Sequence, residues 1–169
     1  MSTGEETRIS LEEFHRHFVL THMKDGAAAV FDEIKQQAER SGKSLASTLA
    51  EWITSQYSQG AYQDDNWFAK DVPLDACYFA HTDFRLHPVP KNQRLIDFLP
   101  TLRQEIESGT FPCSLEIRAP WSGPMPRPLA QERAPDKYYI LDGQLRVIRH
   151  WYHDVATVKL FVYRGSKDV

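Results

Sequence analysis

The residues best suited to chemistry stand next to one another near the C-terminal end, in the order Asp142, Gly143, Gln144, Leu145 and Arg146. Glycine lets the backbone approach a ligand closely, an amide donates hydrogen bonds, and a planar guanidinium can bind two phosphate oxygens at once. The carboxylate can orient a metal ion or accept a proton from an attacking hydroxyl. This turn therefore predicts a phosphate site. The simpler alternative is a strand-to-helix turn in which Asp142 caps the helix.

The flanking sequence, residues 137–165, predicts a strand, a sharp turn, a helix and a second strand. Residues 138–141 and 158–163 are short apolar, β-prone runs. Between them, Leu145 and Ile148 recur at helical spacing. The turn would then open a helix, where backbone N–H groups point outward and the helix dipole favours negative charge.

The beginning of the chain is polar and then helical. Residues 1–8 are expected to be disordered. Ser10 is the expected N-cap of a helix starting at the next residue, and Glu13 completes a capping box. The helical pattern continues over 11–42, and Gly26 is expected to divide it.

The middle of the chain changes from helical to mixed character. A second helix is predicted over 44–57, followed by a polar connector over 60–71. Residues 74–84 are aromatic and strand-like. Residues 85–90 form an extended, proline-rich loop, because each proline disfavours a helix before it.

A further helix begins at Asn92 or Gln93, carries a break or kink at Pro100 and ends at Gly109. Residues 113–118 are predicted as a strand. Residues 119–136 are predicted as a loop, with a proline-stiffened stretch at 121–128 that suits a lid or a partner surface.

Composition narrows the class of protein. Of 169 residues, 41% are hydrophobic, which supports a packed core and argues against global disorder. A net charge of −3 argues against a nucleic-acid binder that uses its whole surface, although a local basic patch remains compatible. The sequence shows neither a signal peptide nor an apolar run of membrane-spanning length, and it has two cysteines without metal-ligand spacing. These features predict a cytoplasmic, bacterial-type protein with reduced thiols.

The order of elements predicts the α+β class. An N-terminal helical segment, residues 1–72, is expected to precede a small mixed-sheet domain, residues 73–169. The histidines of the first helix do not share a chelating face, so no zinc site is expected there.

From residue 74 to about 165 the chain resembles the ParB/sulfiredoxin-like superfamily. The resemblance rests on HPVPKNQR at 87–94, a helix of the form LxxLxxxIxxG at 99–109, and then KYYILDGQLRVIRHWYH and TVKLFVYR. In that superfamily the equivalent turn commonly reads DGxHR, GERR or GGCHR. Leu145 stands where many members carry His or Arg, the turn lacks the cysteine of sulfiredoxin, and no helix-turn-helix domain follows.

The resemblance implies a nucleoside triphosphate with magnesium at the turn. Gly143 and Gln144 would hold the phosphates, Arg146 would neutralise developing charge, and Asp142 would orient the metal or act as base. The loop and helix start at 85–94 would form the other wall of the pocket. Its expected ligand-binding residues are Arg85, Gln93 and Arg94.

Three functions follow as expectations. The first is nucleotide binding with NTP hydrolysis or phosphoryl transfer, and the N-terminal helices would supply a protein partner surface or a homodimer contact. The second is a non-catalytic DNA- or protein-binding regulatory module that keeps the turn for structure only. The third and weakest is a nuclease. A basic groove through Lys91, Arg94, Arg146 and Arg149 would favour nucleic acid; DNA is not the favoured partner, and no membrane partner is expected.

Overall fold

The computed structural model describes residues 5–22, 27–56, 61, 64–120 and 127–166. The expectations for Gly26 and for most of the proline-stiffened stretch lie outside these residues. The protein is of the α+β class. It forms two compact units, one of Met1–Thr7 and Phe68–Arg164 and one of Arg8–Trp67 and Gly165–Val169.

Helices make up most of the second unit: α1 (Leu11–His22), α2 (Ala27–Ser41) and α3 (Leu45–Gln56). The predicted cap of α1 is confirmed, because the Ser10 hydroxyl oxygen accepts a hydrogen bond from the Glu13 N–H at 3.1 Å. Ser and Thr at this position satisfy an N–H group that the helix itself leaves without an acceptor.

The helical unit has its own apolar core. Phe14 is fully buried and stacks on Trp67 at 4.0 Å between ring centroids, and the Trp67 indole N–H donates to the Ala61 carbonyl at 3.0 Å. A buried indole needs such an acceptor. Apolar side chains of α2 and α3 complete the core: Ile34, Ala38, Leu49 and Ile53.

The other unit contains a mixed six-stranded sheet with strand order β1-β2-β8-β6-β7-β3, beside a two-stranded hairpin. Strand β3 runs parallel to β7, and β6 runs antiparallel to β7 and parallel to β8. The strands are β1 (Glu6–Ile9), β2 (Trp67–Pro73), β3 (Cys77–Phe79), β4 (Asp83–Phe84), β5 (His87–Pro88), β6 (Leu129–Ala134), β7 (Lys137–Asp142) and β8 (Thr157–Tyr163).

Short helices and one longer helix pack against this sheet. The prediction of a break at Pro100 is confirmed: α4 (Leu95–Phe98) is followed by a 3₁₀ turn, Leu99–Leu102, before α5 (Arg103–Ser108). Gly109 ends α5 in a left-handed conformation, φ +85°, as expected for a residue just past a helix. The remaining helices are α6 (Ser114–Arg118) and α7 (Gln144–Tyr152).

Four of the predicted irregular segments contain strands, among them the loop predicted over 85–90, which contains the short strand β5. The prediction of disorder over 1–8 is wrong at its end, because β1 begins at Glu6, and the polar connector over 60–71 contains most of β2. Both strands carry few consecutive apolar residues, so their signal is weak. They are strands because the neighbouring backbone in the sheet satisfies their N–H and C=O groups.

The predictions for 113–118 and 119–136 are also wrong. The first segment is the helix α6, whose buried residues Ser114 and Ile117 are three apart while Leu115 is exposed. This three-residue spacing is helical, whereas the apolar residues of the segment taken alone predict a strand. The second segment contains β6, which pairs with β7 through a turn at Pro135 and Asp136. The three consecutive polar residues of β6, Gln131, Glu132 and Arg133, do not give the alternating pattern of a strand.

The sheet unit buries a continuous core between one sheet face and its helices. Fully buried members of the core include Phe79, Leu95, Leu99, Ile106, Ile117, Ile140, Val147, Ile148, Val158 and Leu160.

Of the helices in the described ranges, none is long and apolar enough to cross a membrane.

Candidate phosphate site at the start of α7

The turn between β7 and α7 requires glycine for two reasons. Gly143 is the N-cap residue of α7 and has a left-handed backbone with φ +83°. A Cβ at this position would lie 2.8 Å from Arg146 Nη2 and 2.9 Å from the Cβ of Pro128, closer than such atoms approach. Because Gly143, not Asp142, occupies the N-cap position, the alternative in which Asp142 is the capping residue is wrong. The N-cap residue supplies no side-chain acceptor to the helix.

Arg146 brings a partly buried positive charge to this helix end. Its Nη2 lies 3.6 Å from Asp142 Oδ2, and the two side chains are 17% and 34% exposed. Burial lowers the pKa of the Arg146 guanidinium, and Asp142 acts in the opposite direction. Arginine nevertheless stays charged at any ordinary pH. A cation in the first turn of a helix is opposed by the helix dipole. Asp142 offsets part of this repulsion.

Gln144 adds a donor that the fold does not satisfy. Its Nε2 atom is buried, and no hydrogen bond reaches that atom in the described part of the chain. A buried amide without a partner costs about 1–3 kcal/mol, so native proteins contain few of them. The Gln144 amide lies at the N-terminal end of α7, where the N-cap residue Gly143 has no side chain to accept a hydrogen bond.

Helix α7 is held rigidly behind the turn. Val147 and Ile148 are fully buried. The Arg149 Nη2 donates to the Ala119 carbonyl at 2.9 Å, and the His150 Nδ1 donates to the Arg146 carbonyl at 2.7 Å. Burial lowers the pKa of His150, so its imidazole is neutral near pH 7. The basic residues of α7 beyond the first turn therefore support the helix.

The site lies where two parallel strands end. Strands β3 and β7 are in register through Phe79 and Ile140, so their carboxyl ends meet at one edge of the sheet. His81, just after β3, donates from Nε2 to the Leu141 carbonyl at 3.1 Å and joins the two ends. Ligands of α/β sheets commonly bind at this edge. Sequence reasoning missed His81. Its place at this edge depends on the parallel pairing of β3 with β7, and the sequence does not reveal that pairing.

The residues expected on the second wall are spread along the segment after β3. Arg85 is exposed at the tip of the β4–β5 hairpin. Gln93 accepts a hydrogen bond from the Phe79 N–H through its carbonyl oxygen. Arg94 makes two hydrogen bonds to the Asp97 carboxylate, at 2.9 and 3.1 Å. Within the described residues, no hydrogen bond or ion pair joins these three residues to the turn.

Other reactive groups do not assemble into a second centre. Burial raises the pKa of the Cys77 thiol to about 12, which makes it a poor nucleophile. Cys77 and Cys113 are not joined in a disulfide. Across the described ranges, no three His, Cys, Asp or Glu side chains are grouped as metal ligands. Asp142 is therefore the carboxylate at the turn that could share a magnesium ion with phosphate oxygens.

Comparison of the chain with protein-family models, with curated proteins and with solved structures gives no match.

Proposed function

We propose that the protein binds the phosphate groups of a nucleotide at the start of α7. The observation that carries the proposal is the Gln144 amide nitrogen, buried and without a hydrogen bond in the described chain, at a helix end whose N-cap is Gly143. An anion there would accept from this amide and from the first N–H groups of α7. It would also lie beside the partly buried charge of Arg146.

The residues present fit a nucleotide phosphate. Gly143 gives the left-handed start of α7, Gln144 supplies an amide donor, and Arg146 supplies a charge. Magnesium would be held by Asp142 and would neutralise phosphate charge when bound. For NTP hydrolysis or phosphoryl transfer, Arg146 would stabilise charge on the transferred group. If Asp142 does not hold the metal, its alternative role is to accept the proton of the attacking hydroxyl or water. The absence of a disulfide between Cys77 and Cys113 is compatible with a cytoplasmic site of action.

The test is thermal stabilisation by ATP, CTP, GTP and ADP, each with magnesium. A nucleotide at 100 times its Kd adds about 2.7 kcal/mol to the free energy of unfolding. For a chain of 169 residues this raises Tm by about 5–10 °C. Arg146→Met should remove the shift. Arg118→Met, which removes an equal charge from the exposed side of α6, should retain it.

Either of two results would overturn nucleotide binding. One is the absence of a shift with all four nucleotides. The other is a shift of equal size in wild type and Arg146→Met, which would place any ligand elsewhere. The binding assay precedes any measurement of phosphate release, because hydrolysis or transfer requires the site to be filled first.

A second candidate, a non-catalytic binding module, is favoured by the pairing of the cations. Arg146 lies beside Asp142, Arg94 binds Asp97, and Leu145 packs against the core. In this case the turn would have a structural role only, and the protein would bind DNA or another protein through a different surface. The thermal panel separates the candidates, because this one expects no nucleotide shift.

A further inference from the structure

Two tyrosines stand side by side on the sheet face opposite the core. Tyr78 of β3 and Tyr139 of β7 are register partners, with ring centroids 5.0 Å apart and an interplanar angle of 22°. Both side chains are partly exposed, and neither belongs to the core. Their sequence neighbours are buried core residues: Cys77, Phe79, Tyr138 and Ile140. Because side chains alternate along a strand, the tyrosine pair faces away from the core.

Two cations lie over this pair. The Arg133 guanidinium is 4.6 Å from the Tyr139 ring centroid, and the Lys137 ammonium is 5.9 Å from the Tyr78 centroid. Both cations are exposed, and neither has a carboxylate at ion-pair distance among the described residues. Arg133 donates to the side-chain oxygen of Gln131 at 3.0 Å.

The turn of this hairpin with its two flanking cations, residues 133–137, carries a small net positive charge. Residues 133–137 contain two cations and one carboxylate, Asp136, which gives a net charge of +1 in a chain of net −3. The partner that complements exposed rings flanked by cations is an anion that also carries flat aromatic groups. Single-stranded nucleic acid has both properties, because its bases stack on aromatic rings while its phosphates bind Arg and Lys.

We propose that Tyr78, Tyr139, Arg133 and Lys137 form a binding surface for single-stranded nucleic acid. A cation over an exposed ring is held weakly, so Arg133 and Lys137 can move to phosphates and leave the ring faces to bases. A duplex does not fit this surface, because its bases already stack on one another. An acidic peptide would satisfy the cations but not the rings. The proposal does not depend on nucleotide binding at the start of α7.

The test is fluorescence anisotropy with labelled 12-nucleotide single strands of DNA and of RNA, together with a matched duplex. Replacing a tyrosine by leucine, in Tyr78→Leu or Tyr139→Leu, should raise Kd about 5- to 150-fold for each stacked base lost. With two phosphate contacts, the slope of log K against log salt should be about −1.4. Arg133→Ala should reduce that slope by about 0.7.

Lys35→Ala is the matched control. Lys35 is likewise exposed and lies 4.7 Å from an aromatic centroid, that of Phe31, but it belongs to the helical unit. This variant should bind like wild type, and stronger binding of either DNA or RNA identifies the natural strand type. The proposal is overturned if neither single strand binds, if the duplex or polyglutamate binds equally well, or if Lys35→Ala weakens binding as much as Arg133→Ala. The cation variants test the surface even if a tyrosine variant fails to fold.

Discussion

Replacing Gln144 by leucine should make the protein more stable. The substitution removes a buried amide nitrogen that makes no hydrogen bond in the described chain and keeps a side chain of similar length. Leucine and glutamine have similar helix propensities, so the backbone of α7 contributes little to the difference. The measured change in the free energy of unfolding therefore reports the loss of the buried amide and not a change in helix propensity.

The magnitude follows from the cost of the unsatisfied donor. Such a donor costs about 1–3 kcal/mol, and the partial exposure of the Gln144 side chain places the gain near the lower end, about 1 kcal/mol. In a chain of 169 residues, Tm should rise by about 2–4 °C. Urea unfolding followed by circular dichroism measures the gain as a higher midpoint at an unchanged slope.

Gln144→Glu is the matched comparison. A carboxylate in the first turn is favourable for the helix dipole and lies near Arg146, so this variant should also be stabilised. The Gln144→Glu variant should bind phosphate poorly, because its added carboxylate repels the negatively charged phosphate. A loss of stability in Gln144→Leu would refute the reasoning, because it would mean that the native amide makes a favourable interaction within the folded chain.

Three further predictions concern the surrounding structure. Gly143→Ala should destabilise the protein by at least about 1 kcal/mol more than Gly109→Ala, because both positions have positive φ but only the first crowds a Cβ; urea unfolding of both variants measures the difference. Replacing Arg85-Leu86 by Asn-Gly should stabilise by about 1–2 kcal/mol, because both residues have positive φ (48° and 70°) in a two-residue hairpin; a drop in Tm would contradict this. Below about pH 6.5 the protein should lose stability as the unfolded state binds a proton that the lowered pKa of His150 denies to the folded state; a His150→Gln variant should show a smaller loss between pH 7.5 and 5.

The sequence predicted the elements whose signals are local. The Ser10 cap, the break at Pro100 and the left-handed Gly109 each depend on a residue and its immediate neighbours, and all three are confirmed. Strand β1 depends on pairing with distant backbone, which leaves little trace in its own residues. Strand β6 pairs with the adjacent β7, but its polar residues gave no strand signal. The apolar residues of segment 113–118 predict a strand, although Ile117 alone among them is buried in the helix that the segment forms.

The sequence predicts the backbone turn of the candidate site but not the burial and contacts of its side chains. The order of residues indicated Gly143 and a helix start, and both are present. Burial of the Gln144 amide and the contact of His81 with the Leu141 carbonyl depend on packing and on the parallel pairing of β3 with β7. Neither can be read from spacing along the chain.

The most direct test of the central claim is calorimetric titration of wild type and Gln144→Leu with magnesium complexes of ATP, CTP and GTP. The phosphate-site account predicts that wild type binds one of the nucleotides, and that the more stable Gln144→Leu variant binds it at least about tenfold more weakly, which corresponds to one lost charge-assisted hydrogen bond. Equal affinity in the two proteins, or no binding heat from wild type with any of the three nucleotides, would contradict it.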